Sequence, residues 1–516
     1  MATRKKPPTE KSPDPPRGDD ELDRRDKMHM DMMRSVVTEP LLSKVQANPQ
    51  GRFDVIIALN ELFEGGIEKA LQFVEERAKE WGVRYRTVSH YCFACLSGEQ
   101  ILALADEVRK LIQEHDRRGT VVYRIWEDTE IAVTLTRSLT TVKADAAHRA
   151  FWAHGEDIVW AVLDSGIKGD HPHFRAAQSP FGPVDSLNVA DPLQHTDFTP
   201  LQNGPLVDEF GHGTHVAGII GGFWQSEKEE GEKVVGTEMR DEATNKPIPQ
   251  RDSLRLISGV APRCRLLSLK VIADTTVTGE TKQTAGSGKV SWVLLAIDQI
   301  QKWNQNGRRL LIHGVNMSLG YDFDPRWFGC GQSPLCVEVN RLVKSGVSVV
   351  VSAGNAGYSS YITAANRVES RYSDLSISDP GNADLAITVG STHREMPHLY
   401  GVSYFSSRGP TGDGRMKPDL VAPGERIISC AAGLEAKKYD DGTSEVPVLY
   451  CEQTGTSMAA PHVSGAIAAF LSVRREFIGQ PERVKEVFLA NTIDLQRERK
   501  FQGTGLLDLM RALQAV

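Results

Sequence analysis

At 516 residues, 40% of them hydrophobic, the chain is long enough for two or three domains with real cores. Charged residues make up 25% and the formal net charge is -7, so no global positive field exists to hold phosphate backbones, which excludes nucleic acid as the main partner. Seven cysteines are too few for a disulfide scaffold, and their odd number leaves at least one unpaired, which leans toward the cytoplasm.

Residues 1–49 are expected to form a disordered, charged tail, since the stretch to about Met33 is rich in Pro, Lys, Arg, Asp and Glu. It has no apolar run that could serve as a signal-peptide core, and no uninterrupted apolar stretch long enough to span a bilayer occurs elsewhere. The expectation is a soluble cytoplasmic protein with no membrane partner. Residues 50–135 read as a small α+β region: strand Phe53–Leu59, helix Gly66–Trp81, strand Tyr85–Cys95, helix Gly98–Glu114 and strand Val121–Trp126. The first of these helices carries Ile67, Leu71, Phe73, Val74 and Ala78 near helical spacing, and Gly82 stops it.

From 144 to 516 the texture changes to short apolar runs: Ile158–Leu163, Leu266–Ile272, Leu311–Met317, Val347–Ser352 and Leu385–Val389. Such runs, rich in Val, Ile and Leu without alternation, suit strands buried on both faces of a parallel sheet, so this larger domain is α/β. A polar insert at 223–257, including Glu227–Lys233, shows little periodicity and reads as a surface loop.

Three local patterns carry chemistry. In Ile158–Ile167 a buried strand ends on Asp164 followed by Ser and Gly; ligand sites gather at the carboxyl ends of parallel strands, although such an Asp alone reads more simply as a turn cap. His212 opens His-Gly-Thr-His-Val-Ala-Gly218, whose small residues let another element approach the ring. His215 lacks the Glu of a His-Glu-x-x-His zinc pattern and is assigned to helix packing. Ser457 lies in Gly455-Thr-Ser-Met-Ala-Ala-Pro-His-Val-Ser-Gly465, at a helix start where its hydroxyl is exposed and its backbone N–H is free, a position that an N-cap serine would share.

Together the three supply an acid, a base and a hydroxyl, in the Asp, His, Ser order known for subtilisin. At these motifs the chain resembles the subtilisin family, or subtilases, from roughly Ala144 to Leu507. The resemblance implies a three-layer α/β domain with a parallel central sheet and a serine endopeptidase with Asp164, His212 and Ser457 as catalytic triad. It also implies Asn355, in Val351-Ser-Ala-Gly-Asn-Ala-Gly357, as an oxyanion donor beside the Ser457 N–H, and a substrate-binding role for Ser318, Leu319, Gly320, Ala353 and Gly354. Gly259-Val-Ala-Pro262, Phe405-Ser-Ser-Arg-Gly-Pro410 and Val421-Ala-Pro-Gly424 are family-like as well.

The α+β region resembles the pro-domain of many subtilases, with an accessory domain as the alternative. As a pro-domain it would inhibit in cis and be cut away between Glu127 and Asp145, in or near the extended-looking Ile131–Thr136. His171-Pro-His173 stands where many subtilases read His-Pro-Asp, so the family calcium site is not carried over and no cofactor is expected. If the family hairpin closes between Ile427 and Tyr450, Cys430 and Cys451 face each other at disulfide distance, although a cytoplasmic setting would keep them reduced. Cys92 and Cys95, three apart on a strand, should point to opposite faces. Two rival functions share these residues: a ligase using the same triad, and a pseudoprotease that only binds peptides.

Overall fold

Apolar residues spaced for one face of an element become its buried side in the computed structural model, which describes residues 36–60, 62–88, 90–115, 120–127, 137–240, 247–275, 285–322, 324–362, 367–440 and 446–516. Contacts divide the chain into two units, Met1–Val133 and Thr134–Val516.

In the first unit, helices α1 (Glu39–Ala47), α2 (Gly66–Glu80) and α3 (Gly98–His115) accompany strands β1 (Arg52–Leu59), β2 (Tyr85–Val88), β3 (Tyr91–Ser97) and β4 (Val122–Glu127). The antiparallel sheet has the order β2-β3-β1-β4, a split βαβ arrangement. Ala70, Val74 and Ala78 form the buried stripe of α2, and Cys92, Ala94 and Leu96 the buried face of β3, with Cys95 on the opposite face.

Two expectations need correction here. Tyr85–Cys95 is a hairpin, with Val88 paired to Tyr91, because a tight reversal leaves the apolar pattern unbroken. Residues 36–47 are ordered parts of this core, although the sequence placed them in a charged tail. Val36, Val37, Leu41, Leu42 and Val45 are buried, and the Thr38 N–H donates to the Ile125 carbonyl at 3.0 Å. Five apolar side chains at roughly 1.5–3 kcal/mol each outweigh the polar residues between them once β4 and α3 supply a surface.

The second unit is built on a seven-stranded parallel sheet among the described residues. Its strands are β5 (Val159–Asp164), β6 (Thr196–Asp197), β9 (Arg265–Lys270), β10 (Gly314–Met317), β11 (Ser348–Ser352), β14 (Ile387–His393) and β15 (Leu420–Glu425). Their order is β15-β14-β11-β10-β5-β9-β6, so after β5 the chain lays down the edge strand β6, fills in β9 between them, and then builds outward on the other side from β10 to β15. That reversal is the topological switch point, where the carboxyl ends of β5 and β10 leave a crevice. Alternate side chains serve opposite faces. Trp160, Val162 and Val350 pack with helices α4 (His212–Ile220) and α7 (Thr456–Val473), while Ala161, Leu163, Val349 and Val351 pack with α5 (Val290–Trp303) and α6 (Pro334–Lys344). Two helix layers around one sheet make the three-layer α/β fold.

Among the described residues one helix, α7, is long and apolar enough to cross a membrane; 83% of its apolar window is buried in the protein, as suits a core helix.

The insert is also different from its expectation. Strands β7 (Glu232–Arg240) and β8 (Pro247–Leu254) form an antiparallel hairpin, and β7 pairs in parallel with β17 (Tyr450–Gln453), which is antiparallel to β16 (Ile427–Cys430). Val234, Val235, Leu254 and Ile257 are buried in the main core, while Lys233 and Glu238 remain in solvent. A strand whose partner lies some two hundred residues away shows no local periodicity to read. The hairpin register also decides the cysteines: Ser429 pairs with Cys451 and Cys430 with Tyr450, which puts the two thiols on opposite faces. Both are free and buried, Cys430 in the main core and Cys451 beside Tyr439 and Val448.

Candidate active site

Asp164 ends the central strand β5 and is 1% exposed. Its Oδ1 accepts the Ser165 N–H at 2.8 Å and lies 2.7 Å from His212 Nδ1, so the ring is held as the Nδ1–H tautomer. His212 begins α4, and Gly213 directly after it permits the approach: a Cβ there would collide with the Gly166 carbonyl and come within 3.1 Å of the Asp164 Cβ. Burial disfavours charge on His212, but the Asp164 carboxylate and its hydrogen bond, with Asp208 and Glu435 farther off, outweigh burial and raise the pKa above 6.5.

Asp208 is the main residue that motif reading passes over. Its carboxyl group takes four hydrogen bonds, from Ser165 Oγ (2.9 Å), Gly211 N (2.7 Å), Thr214 N (2.8 Å) and Thr214 Oγ1 (2.6 Å). Burial pushes its pKa up from 3.8 while these donors pull it down. Ser165 Oγ in turn accepts the Gly213 N–H at 2.9 Å, so Asp208 and Ser165 fasten the start of α4 to the end of β5. An acid four residues before a helix-opening His, where orphan N–H groups need acceptors, is the signal that could have revealed it.

Ser457 is the second residue of α7, whose first-turn N–H groups have no intrahelical acceptor. Its hydroxyl donates to the Ser318 carbonyl at 3.2 Å, and Ser318 Oγ donates to the Ser457 carbonyl at 2.8 Å. Ser318 Oγ also accepts from buried Asn316 (2.9 Å), whose side-chain oxygen accepts from Ser464 on α7 (2.8 Å). The end of β10 is thereby fixed against the helix start. Asn355 follows β11, and its Oδ1 accepts from both the N–H and the hydroxyl of Thr456, each at 3.0 Å. That assignment leaves Nδ2 as the donor end of the amide. A Cβ on Gly455 would lie 3.4 Å from Asn355 Nδ2 and 3.7 Å from Ser457 N, so these two nitrogens border the same position beside Gly455.

Ser318, Leu319 and Gly320 line a cleft of about 300 Å³ together with His212, Phe210 and Tyr321. Ala353 is buried, and its carbonyl accepts the Ser378 N–H at 3.1 Å. Gly354 faces Gly320 across Ser378: a Cβ on either glycine would come within 2.7–2.8 Å of Ser378 Oγ. Ser378 therefore fills the space between these two segments, a role that no motif announces.

His171, His173 and His215, the other histidines of these motifs, serve packing. His215 is fully buried, with Nε2 3.2 Å from the Ile427 carbonyl and 3.1 Å from that of Cys451, and burial lowers its pKa to about 3. His173 places Nε2 3.2 Å from the Gly218 carbonyl and Nδ1 3.3 Å from the Tyr450 hydroxyl, and His171 places Nε2 2.7 Å from the Leu449 carbonyl. These rings are committed to backbone and hydroxyl partners.

The model of the subtilase family matches residues 155–506. The chain is 30% identical over 365 residues to the major intracellular serine protease of Bacillus subtilis (strain 168), covering 69% of this chain and 84% of that one. It is 27% identical over 408 residues to subtilisin E of the same organism, 78% of each chain, and 28% identical over 341 residues to its serine protease AprX, 66% of this chain and 62% of that one. An acid, an imidazole and a hydroxyl at the switch point of a parallel sheet, within a family match spanning most of the second unit, lead to one conclusion: the chain belongs to the subtilase family and is a serine endopeptidase of the subtilisin type.

Proposed function

We propose that Ser457 is the nucleophile, His212 the general base and then acid, and Asp164 the group that orients and stabilises the imidazolium. The observation that carries this reading is the 2.7 Å contact of His212 Nδ1 with Asp164 Oδ1, with His212 lining the same cleft as Ser318, which is hydrogen-bonded to Ser457. With Nδ1–H committed to Asp164, Nε2 is free to accept a proton. The Ser457 hydroxyl rotates from the Ser318 carbonyl toward Nε2 and attacks the scissile carbonyl carbon as its proton passes to His212. Asn355 Nδ2 and the Ser457 N–H donate to the oxyanion. His212 then protonates the leaving amine, the C–N bond breaks and an acyl-enzyme forms. Water attacks the ester carbonyl carbon while giving a proton to His212, and as the C–O bond to Ser457 breaks His212 passes that proton to Ser457 Oγ, releasing the acid and the free serine. The sequence of steps needs no cofactor.

The substrate is an extended polypeptide whose backbone pairs with Ser318–Gly320, its side chain entering between that segment and Ala353–Gly354 above Ser378. The N-terminal unit acts as an intramolecular inhibitor, and the enzyme works in the cytoplasm. All seven cysteines being free thiols supports a reducing compartment, and one relative is named an intracellular serine protease. Incubating purified protein with an unfolded protein and mapping the cuts tests the activity. Ser457→Ala is expected to remove cleavage by a factor of about 10⁴ or more while leaving the fold intact, and equal activity in variant and parent would remove Ser457 from its role.

A further inference from the structure

Beyond Asn355 the chain runs through Gly357 into a hairpin, β12 (Tyr358–Ile362) and β13 (Val368–Tyr372), that presents aromatic side chains to solvent. The Tyr358 ring lies 5.0 Å from that of Tyr372 and 6.0 Å from that of Tyr404. Tyr372, Tyr400 and Tyr404 are 61%, 61% and 60% exposed, an amount of aromatic surface that a protein seldom leaves uncovered without a use for it. They line one side of a cleft of about 930 Å³ with Arg408 and Phe501, its rim completed by the charged Glu425, Arg497 and Glu498. Its walls are pre-set: the Arg408 guanidinium, with the residue only 6% exposed, sits between two rings, 4.8 Å from the Tyr372 centroid and 4.6 Å from that of Phe501. Among the described residues no carboxylate pairs with Arg408; its Nη2 donates to the Tyr404 carbonyl at 3.2 Å. Fixed aromatic walls with exposed hydroxyls suit a peptide, whose side chains are apolar and whose backbone needs hydrogen-bonding partners.

The position of this cleft identifies which part of a peptide it meets. Gly357 N donates to the Phe405 carbonyl (2.9 Å) and Ala356 N to Ser407 Oγ (3.0 Å), so the turn holding Tyr404 is bonded to the loop that carries Asn355. On the other flank Gly455 N donates to the Gly424 carbonyl (2.8 Å), and Glu425, the next residue, lines the cleft. The aromatic groove thus adjoins both segments that supply the oxyanion donors, and it shares no lining residue with the cleft at Ser318–Gly320 and His212.

We infer that this groove is a substrate subsite for the leaving-group side of the cut, taking aromatic or long aliphatic side chains of an extended polypeptide several residues downstream of the scissile bond. The inference rests on the hydrolytic reading above. A chain whose acyl half fills the Ser318–Gly320 cleft must leave past the oxyanion loop, and Tyr358, three residues after Asn355, starts a continuous aromatic path into the groove.

The test uses peptides with one common acyl half and leaving halves of two to six residues, carrying Phe or Ala at each downstream position, and a p-nitroanilide with the same acyl half. Tyr404→Ala removes an exposed ring alone, and Tyr372→Ala/Tyr404→Ala also removes one of the two rings that flank Arg408. In the parent, Phe at one downstream position is expected to raise kcat/KM roughly tenfold over Ala. Both variants should lose that preference and keep the parent rate on the p-nitroanilide. The same comparison by fluorescence anisotropy in a Ser457→Ala background, where nothing is cut, should show the same loss of affinity. A parent with no downstream preference in rate or affinity overturns the inference, as do variants that slow the p-nitroanilide equally. Variants that change only self-association in sedimentation would assign the groove to contacts between copies and overturn it too. Failure of the parent on every substrate with the binding preference intact would instead count against the hydrolytic reading alone.

Discussion

At the scale of single residues, the acidity around His212 is the feature most open to measurement. A base must be neutral to accept the Ser457 proton, and His212 has its pKa raised above 6.5 chiefly by Asp164, with Asp208 and Glu435 adding to it. Activity is therefore expected to rise with pH as His212 loses its proton, with the acid limb of kcat/KM lying above the ordinary histidine range. Asp208→Asn removes one of the charges that raises this pKa and points an amide NH₂ at donors, two of which are backbone N–H groups that cannot reverse. The acid limb should move to lower pH, and kcat/KM on the plateau should fall roughly tenfold as the start of α4 loosens. A lower plateau with an unmoved limb would mean that Asp208 acts only as a cap. Asp164, His212, Asn355 and Ser457 stand out in the sequence because each sits in a short motif. Asp208 and Ser378 do not, since their roles lie in what four separate donors or two separate glycines place around them.

At the scale of elements, the β16–β17 hairpin and the inserted β7–β8 hairpin show how register decides chemistry. The repeat of a strand is two residues, so an offset of one separates two cysteines that would otherwise meet. Cys430 and Cys451 are expected to be two free thiols, unreactive to an exposed-thiol reagent in the native protein and both reactive after unfolding. Burial pushes the Cys430 and Cys451 thiols up, which further lowers their reactivity. Peptide mapping without reductant that finds the two joined would contradict the pairing of Ser429 with Cys451. The charged insert escapes sequence reading for a related reason: its ladder is completed by β17, so the burial of Val234 and Val235 is a tertiary fact.

At the scale of the whole molecule, acid should unfold this protein well before its carboxylates are all protonated. Burial lowers the pKa of His154, His171 and His462 to about 4 and of His173 and His215 to about 3. Each is neutral in the folded chain and has the ordinary value of 6.5 once unfolded. Between pH 6.5 and about 4 the unfolded chain binds more protons, so the stability present above pH 6.5 is lost as pH falls, by up to about 1.4 kcal/mol per unit for each ring. Melting temperature followed from pH 7 to 4 should fall steeply over that window, and a flat profile would show that these rings find their protons without unfolding. The second expectation at this scale is self-cleavage. The segment Ile131–Thr136 lies outside the described residues, and Arg137–Thr141 and Ala144–Phe151 are helical, which disfavours cutting there because a scissile segment must be extended. Active protein should cut itself after Glu127 and before Arg137 while Ser457→Ala protein stays full length, as intact mass would show. A parent that remains whole yet digests other proteins would make the N-terminal unit an accessory domain. What the sequence by itself determined is whatever local chemistry encodes: buried strands announce themselves by continuous Val, Ile and Leu, and the three motifs by side chains that must follow one another on a single turn. The tertiary structure alone decided what depends on partners distant in the chain, namely the burial of residues 36–47, the ladder of the insert, the facing of the cysteines, the cradle of Asp208 and the aromatic groove, because burial and register are properties of two surfaces and the sequence displays one at a time.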